Sequence, residues 1–221
     1  MVGAGAAGFE VILALEHRIR TRIGGNSKPR LRLLTDAPRI LPEFPSRLRR
    51  YAERLLHERG ILVHARARAS AIDPRGIHLA DGTRIDAEHV IFVTGAAPAA
   101  MYAQSALQTD ARGFIAVSPG LQSLSHPEVF ACGDVASVLD HPRPKAGVFA
   151  VRQGPPLIRN LRRALAGEPP LPFVPQRNYL VLLSTGRKHA IATRNGYTVH
   201  GEWVWRWKDW IDRRFVARFR P

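Results

Sequence analysis

The first part of the chain alternates between short apolar runs and stretches with helical spacing. The apolar runs predict strands that end at Met1-Val2 and that cover residues 31–35 and 61–65. Between them, residues 9–20 and 47–59 place their apolar side chains at the 3.6-residue spacing of an amphipathic helix. This β-α-β-α-β order predicts parallel strands joined by helical crossovers.

The boundaries of the two predicted helices are marked by turn and capping residues. Gly24-Gly25-Asn26 should end the first helix, Ser46 should cap the second, and Gly60 follows the end of the second. Four apolar side chains should form the buried face of the first helix: Val11, Ile12, Leu15 and Ile19.

Beyond residue 65 the pattern changes to shorter strands separated by turn residues such as Asp81-Gly82. The strands predicted here are residues 69–72, 76–80, 89–93, 113–117, 129–132, 179–184 and 189–193. Two more helices are predicted, over residues 148–165 and over the tail 202–219, and the proline-rich residues 167–175 are expected to be a linker. The sequence therefore predicts an α/β protein with a small α+β C-terminal region.

Composition narrows the function classes. The chain has no apolar run long enough for a transmembrane helix, and its single cysteine excludes a disulfide framework or a paired-thiol centre within it. The net charge of +15 would attract anionic partners. Because the basic residues are spread along the whole chain without a recognition motif, nucleic-acid binding ranks last and no specific nucleic-acid partner is expected.

A glycine turn links the first strand to the first helix. Residues 3–8 are Gly-Ala-Gly-Ala-Ala-Gly and fit the G-x-G-x-x-G pattern. The first glycine would allow a tight turn, the second the approach of a pyrophosphate, and the third close packing of helix on strand. Backbone amides at the head of the helix would then face the phosphates. The cofactor-binding residues predicted at this turn are Gly3, Gly5, Ala6, Ala7 and Gly8.

The choice between NADH and NADPH depends on the end of the next strand. Asp36 can accept a hydrogen bond from a ribose hydroxyl and would repel a 2′-phosphate, whereas Arg39 could attract one. The sequence therefore favours NADH but leaves both nucleotides open.

Three further motifs resemble those of the pyridine nucleotide-disulfide oxidoreductase superfamily. Residues 91–98, Ile-Phe-Val-Thr-Gly-Ala-Ala-Pro, resemble its ATG-x-x-P crossing, and residues 129–135, Val-Phe-Ala-Cys-Gly-Asp-Val, resemble its second flavin motif. Residues 145–154 resemble the segment that passes the isoalloxazine ring. Within the superfamily, the chain is most similar to type II NADH dehydrogenases, and above all to the group associated with selenophosphate synthetase, whose C-terminal end the tail 203–215 resembles.

This resemblance implies an enzyme that passes hydride from NAD(P)H to FAD and electrons to a quinone-like small-molecule acceptor. It implies a Rossmann-like nicotinamide-binding domain over 1–93, the C-terminal half of an FAD-binding domain over 94–166, and an α+β interface region over 167–221. The further cofactor-binding residues that it implies are Thr94, Gly95, Gly133, Asp134, Ala146, Gly147 and Val148.

The resemblance also suggests three catalytic candidates. Glu10 would lie near the junction of nicotinamide and flavin, or else simply complement the dipole of its helix. Lys145 would stabilise a reduced, anionic flavin, or else be a solvated loop lysine, and Gln153 would hydrogen-bond the edge of the flavin ring. No metal site is predicted.

Two features of the family pattern are missing. The family begins with another G-x-G-x-x-G, which holds the ADP half of FAD, and its disulfide-reducing members carry a cysteine pair. The chain is therefore expected to be N-terminally truncated and not to reduce disulfides. A non-catalytic nucleotide-binding or interaction module is the alternative.

The tail combines tryptophan with arginine at helical spacing. Trp203, Trp207, Trp210, Ile211 and Phe215 fall near one predicted face. The sequence favours a helix packed on the flavin domain or on a partner in a homodimer, and leaves open a helix lying in a lipid interface. The expected location is cytoplasmic, at the cytoplasmic face of the membrane in the second case.

Overall fold

The structure is a computed structural model that describes residues 1–22 and 30–219. The predicted helix end at Gly24-Gly25-Asn26 lies outside these residues. The chain divides into two compact units, one comprising residues 1–94 with the chain from Leu180 onward, the other comprising Gly95–Tyr179. The three domains expected from the sequence, 1–93, 94–166 and 167–221, stay a prediction.

The first unit opens with parallel strand segments. Strands β1 (Arg32–Leu34) and β2 (Leu62–His64) pair in parallel, and Val2 bridges in parallel to Leu34 on one side and to Phe92 on the other. The predicted parallel order is therefore confirmed. The strand predicted over 89–93 was too long, because within it only Phe92 forms a bridge.

Helices α1 (Ala6–Arg22) and α2 (Ser46–Glu58) follow the first two strand segments. The prediction that Val11 is buried was wrong, since Val11 is exposed and the buried face passes through Phe9, Ile12 and Leu13. Ser46 is the first residue of α2 rather than its cap. Pro45 holds the cap position without a side-chain bond, and its carbonyl already accepts the Arg49 amide at 3.1 Å.

The main core of this unit lies between helices α1 and α2 and strands from both of its chain segments, residues 1–94 and the chain from Leu180 onward. Leu48, Ala52 and Leu56 line one face of α2 at a spacing of four residues and are fully buried. They pack in one cluster with the buried face of α1, with Leu33 of β1, and with two residues near the C-terminus, Leu183 and Ile191.

An antiparallel meander follows β2. Strands β3 (Ala69–Asp73), β4 (Gly76–Leu79) and β5 (Arg84–Asp86) pair in that order, and Gly82 turns between the last two with φ of +87°. Strand β5 was not predicted, because its three residues are Arg-Ile-Asp and show too little of an alternating pattern.

The second unit contains a short helix α3 (Ala100–Gln104), the parallel pair β6 (Ile115–Val117) and β7 (Ala136–Val138), and the long helix α4 (Gly147–Leu165). The strand predicted at 129–132 was wrong, since only Phe130 bridges there, to Gln122. A 3₁₀ turn at Gly133–Val135 begins with φ of +72°, so the regular strand starts only after it.

Residues 167–175 are docked on this unit rather than forming a free linker. The fully buried Asn160 of α4 donates to the carbonyls of Gly120 and Leu171 and accepts from the Leu171 amide. The Phe173 amide donates to the carbonyl of Pro119 at 2.9 Å. The four prolines of this segment therefore stiffen a packed strap.

The C-terminal segment returns to the first unit as strands β8 (Val181–Ser184), β9 (Ala190–Arg194) and β10 (Tyr197–Gly201), which form an antiparallel sheet, and helix α5 (Glu202–Ala217). The predicted turn at Gly186 is confirmed by its φ of +73°, while β10 was not predicted. Within the described part of the chain, every helix is too short or too polar to span a bilayer.

A stack of aromatic rings joins α2 to this C-terminal sheet. The Tyr51 ring lies on the His200 ring with centroids 4.1 Å apart, and the His189 ring lies 5.6 Å from His200. The Thr185 hydroxyl and His189 Nδ1 are 2.7 Å apart. Burial lowers the pKa of His189, and the positive charges of His200 and Arg59 lower it further.

This arrangement predicts that acidification destabilises the first unit. Because the folded-state pKa of His189 lies below its unfolded value, the unfolded chain takes up the proton more readily, and stability falls as pH drops below about 6.5. Urea unfolding from about pH 7.5 to about pH 5 should therefore show a falling midpoint, and His189→Gln should flatten that fall.

The matched control is His57→Gln, which changes an exposed histidine of the same unit and should leave the pH profile as in the wild type. An unchanged profile for His189→Gln would contradict the prediction.

Candidate functional site

The glycine turn has the strand-to-helix geometry that the sequence predicts. Gly3 has φ of +105°, and a Cβ there would overlap the Val93 carbonyl oxygen. A Cβ at Gly8 would overlap the carbonyl oxygen of Gly3. Gly5 differs from both, since it is exposed and no atom lies within 4 Å of where its Cβ would be. Two glycines therefore permit the backbone packing, and the third leaves the outer side of the turn open.

The head of α1 presents unused backbone amides at this open side. The Phe9 amide donates to the carbonyl of Gly5 at 3.0 Å and starts the helical ladder. The amides of Ala6, Ala7 and Gly8 have no acceptor among the described residues. Free amides and the positive end of the helix dipole suit a phosphate group.

Asp36 lies one residue beyond Thr35, near the carboxyl end of β1. The Gly3 amide donates to the Leu34 carbonyl at 2.9 Å, so Gly3 and the end of β1 belong to the same sheet edge. Asp36 and Arg39 are both exposed there. An acidic and a basic side chain are thus both exposed beyond β1, and the preference for NADH over NADPH stays a prediction.

Glu10 contacts the C-terminal sheet. Its Oε1 accepts the backbone amide of Ser184 in β8 at 2.7 Å, across 174 residues of sequence. Burial raises the pKa of the carboxyl group, and the bond from Ser184 opposes that rise. Glu10 therefore tethers β8 to the head of α1, and its catalytic role stays a prediction.

Thr94 and Gly95 follow Val93 and are exposed. Thr94 is the last residue of the first segment of one unit, and Gly95 is the first residue of the other. Their part in cofactor binding stays a prediction.

An open cleft in the second unit contains about 440 Å³ of space outside protein atoms, including its mouth. Five of the predicted site residues line it: the cofactor-binding candidates Gly133, Asp134 and Ala146, and the catalytic candidates Lys145 and Gln153. Gly147 and Val148 form the first turn of α4 next to this lining but do not face the cleft.

The 3₁₀ turn holds Asp134 at the cleft. A Cβ on Gly133 would lie 3.4 Å from the Ala150 Cβ, so the turn lies closely against α4. The buried Gln153 side chain accepts the Gly133 amide through its Oε1, and its Nε2 has no acceptor in the described part of the chain. Asp134 is exposed. The arrangement presents one carboxylate and one amide donor to a bound molecule.

Lys145 is half-buried on the other wall of the cleft. Its Nζ donates to the Ala136 carbonyl and lies 4.0 Å from the centroid of the Phe114 ring. Burial lowers the pKa of Lys145, and the charge of Arg112 lowers it further. The lysine is therefore fixed in place and not a free solvated loop residue.

Residues that the sequence did not predict also line the cleft. Among them are Arg112, His141, Arg143 and Phe149. Each nitrogen of the Arg143 guanidinium donates to a backbone carbonyl, those of Pro142, Pro175 and Gln176. Phe149 lies within the motif at residues 145–154, whereas Arg112, His141 and Arg143 lie outside the motifs and only the fold brings them to the cleft.

Comparison with known proteins identifies the family. A family model described as pyridine nucleotide-disulphide oxidoreductase matches residues 1–154, which contain the glycine turn and most of the cleft. The chain belongs to this family. The match confirms the superfamily that the motifs resemble, while the likeness to the selenophosphate synthetase group stays a prediction.

Individual relatives are distant. The type II NADH:quinone oxidoreductase Ndh of Mycobacterium tuberculosis is 30% identical over 168 residues, which cover 70% of this chain and 35% of the relative. The type II NADH:quinone oxidoreductase of Staphylococcus haemolyticus is 25% identical over 177 residues, or 75% of this chain and 44% of that protein.

A solved structure supports the fold alone. The sulfide:quinone oxidoreductase of Aquifex aeolicus superposes with a TM-score of 0.76 at 19% identity, covering 98% of this chain and 57% of that chain. The chain therefore spans only part of the proteins that it matches, from 35% of the mycobacterial relative to 57% of the Aquifex aeolicus chain.

The glycine turn generates a stability prediction. Gly8→Ala should destabilise this family member by about 1–3 kcal/mol, because the added methyl group overlaps a backbone carbonyl that cannot move away freely. Gly5→Ala is the control and should change stability by less than about 0.5 kcal/mol, since its methyl group meets open space. Urea unfolding measures both, and equal effects would contradict the assigned geometry.

Proposed function

We propose that this chain carries the nicotinamide site and the ribityl side of the flavin site of an FAD-dependent NAD(P)H oxidoreductase. In the proposed reaction, hydride passes from NADH to FAD and electrons continue to a quinone-like acceptor. The observation that carries the proposal is the glycine turn, whose two inner glycines allow the packing while Gly5 and the head of α1 stay open.

The nicotinamide nucleotide would be held by backbone groups. The amides of Ala6, Ala7 and Gly8 would donate to its diphosphate, and the dipole of α1 would favour the negative charge. Asp36 would accept a ribose hydroxyl and favour NADH, because a 2′-phosphate beside its carboxylate would be repelled. The exposed Arg39 works against this preference.

One side of a flavin would occupy the cleft of the second unit. Asp134 would accept from ribityl hydroxyls, and the Gln153 Nε2 would donate to a polar ring edge. Lys145, together with the N-terminus of α4 at Gly147 and Val148, would place positive potential where reduction adds negative charge. When bound, the flavin would supply the two-electron chemistry, and these residues would only orient it and balance its charge.

The acceptor is inferred from the relatives. The mycobacterial and staphylococcal proteins are named as NADH:quinone oxidoreductases, and the structural relative as a sulfide:quinone oxidoreductase. All three names contain a quinone acceptor, which supports a quinone-like acceptor here.

Burial raises the pKa of the single cysteine, Cys132, so its reactive thiolate form is disfavoured.

Titration of the purified chain with NADH tests the proposal. Saturable binding is expected, and Gly5→Asp should weaken it at least tenfold, about 1.4 kcal/mol, by placing a carboxylate where the diphosphate approaches. Asp36→Ser should narrow the preference for NADH over NADPH by about tenfold.

The control is Gly154→Asp, which makes the same chemical change at another glycine with open space around it. That variant should bind NADH like the wild type. Absence of NADH binding at millimolar concentration, or equal loss in both variants, would contradict the nicotinamide site.

We also propose that helix α5 contacts a membrane that contains the quinone-like acceptor. Trp203, Trp207 and Trp210 are exposed, whereas only Val204 of the helix is fully buried. The Arg214 guanidinium lies 5.4 Å from the centroid of the Trp210 ring. Exposed tryptophans with adjacent arginines suit the interface of an anionic bilayer. A second copy of the chain is the alternative partner for this face.

Co-sedimentation with vesicles tests this contact. The chain should bind phosphatidylcholine vesicles that contain about one third phosphatidylglycerol, and Trp203→Glu with Trp210→Glu should lower the partition at least about tenfold. Leu139→Glu, an exposed apolar position of the other unit, should have no effect. If the tryptophan changes instead dissociate a dimer and leave sedimentation with vesicles unaltered, the homodimer accounts for the face.

A further inference from the structure

A tight turn directly before β6 supplies part of one wall of the cleft. Residues 110–114 are Asp-Ala-Arg-Gly-Phe. The Asp110 amide donates to the Phe114 carbonyl at 2.8 Å, and the Gly113 amide donates to the Asp110 carbonyl at 2.9 Å. Gly113 has φ of +91°, a conformation that glycine adopts without strain. The turn brings Arg112 to the cleft lining and buries the ring of Phe114.

The Asp110 side chain organises this turn from within. Its Oδ1 accepts the amides of Arg112 at 2.9 Å and of Phe114 at 3.0 Å. Its Oδ2 lies 3.8 Å from Arg112 Nε, and the buried Ser137 of β7 hydrogen-bonds the same carboxylate. Arg112 and Ser137 line the cleft, whereas Asp110 lies outside that lining. Asp110 can therefore act on the cleft only through these neighbours and through its charge.

Asp110 carries that charge although 12% of its side chain is exposed. Burial alone would raise the pKa of the carboxyl group. The hydrogen bonds from Phe114, Ser137 and Arg112, together with the charge of Arg112, outweigh burial and lower the pKa below its usual range. The group is therefore a carboxylate at neutral pH.

Lys145 contacts both products of this turn and its neighbouring strand. Its Nζ donates to the carbonyl of Ala136, the residue before Ser137 in β7. The same Nζ lies 4.0 Å from the centroid of the Phe114 ring, and Arg112 Cζ lies 5.2 Å from that centroid. One buried ring is thus in contact with both cations of the wall.

The charged groups around Lys145 have opposite effects on it. Burial lowers the pKa of Lys145, and the positive charge of Arg112 lowers it further. The carboxylates of Asp110 and Asp134 oppose this and favour the protonated amine. Asp134 is exposed at the cleft, so Asp110 is the enclosed one of the two carboxylates.

A similar turn in the first unit shows what is particular to Asp110. Asp73 also accepts two amides through its Oδ1, those of Arg75 at 2.7 Å and of Gly76 at 3.0 Å. Its Oδ2 lies 2.8 Å from Nε2 of His78, and its side chain is 28% exposed. All these partners lie within the hairpin of β3 and β4, so Asp73 stabilises its own turn, whereas Asp110 also contacts residues of the cleft.

On the basis of the flavin site proposed above, we propose that Asp110 is a positioning residue of the cleft. Its carboxylate fixes the turn that presents Arg112 and Phe114, and through them it holds Lys145 as an oriented cation for the anionic form of a bound flavin. A preorganised positive charge of this kind needs no rearrangement when negative charge develops on the ligand.

Chemical labelling of Lys145 on the full chain tests the proposal. Acetic anhydride reacts only with the neutral amine, and peptide mass spectrometry gives the rate at Lys145 relative to the exposed Lys188. Asp110→Asn keeps an oxygen for the two amides and removes the charge. Because that charge favours the protonated amine, the variant should react at least about threefold faster at about pH 7.5, and the midpoint of its pH profile should move to lower pH.

Arg112→Gln should have the opposite effect. Removing its positive charge favours protonated Lys145, so acetylation should slow at least about twofold. The Arg112 side chain is 64% exposed, so this variant should fold like the wild type. Asp73→Asn is the matched control, since it makes the same change in the similar turn of the first unit, and it should leave the rate at Lys145 unaltered.

Three outcomes would overturn the proposal. These are equal effects of Asp110→Asn and Asp73→Asn, changes of the same sign in Asp110→Asn and Arg112→Gln, and a faster rate whose pH midpoint stays in place. The last outcome would mean that Asp110 only stabilises the local fold. Protection of Lys145 by millimolar FAD reports separately on the proposed flavin site, because the pH profiles are measured without FAD.

Discussion

The close approach of backbone to backbone at the glycine turn is the constraint on which the first unit depends. Gly3 lies against the Val93 carbonyl and Gly8 against that of Gly3, at separations that leave no room for a Cβ atom. This contact brings the first strand, the last strand segment of the sheet and the head of α1 together. It also leaves amides at the head of the helix without acceptors among the described residues, and these are the donors that the proposed phosphate site would use.

The sequence patterns predicted the elements that are determined by interactions between residues close in sequence. The parallel order of the first strands and the glycine turn follow from apolar spacing and from the special freedom of glycine. Helix α4 was predicted to within one residue at its start. Short strands such as β5 and β10 were missed, because three to five residues carry little periodicity and gain their stability from neighbours along the sheet.

The cleft residues that the sequence predicted all lie in two motifs, residues 129–135 and 145–154. Gly133 needs a positive φ, and the Gly-Asp pair marks the turn that brings Asp134 to the cleft. The partners of Lys145 and Glu10 were not predictable, since Phe114 and Ser184 lie 31 and 174 residues away along the chain. Such contacts depend on tertiary folding and leave no trace in the local pattern.

The bond between Glu10 and Ser184 has a consequence for biosynthesis. It joins the head of the first helix to a strand near the other end of the chain, and the core around α1 includes Leu183 and Ile191. The nascent first unit therefore lacks part of its interior until these last strands leave the ribosome. During translation the second unit, which is continuous in sequence, can fold first, while the first unit stays incomplete until the strands that follow Leu180 have been made.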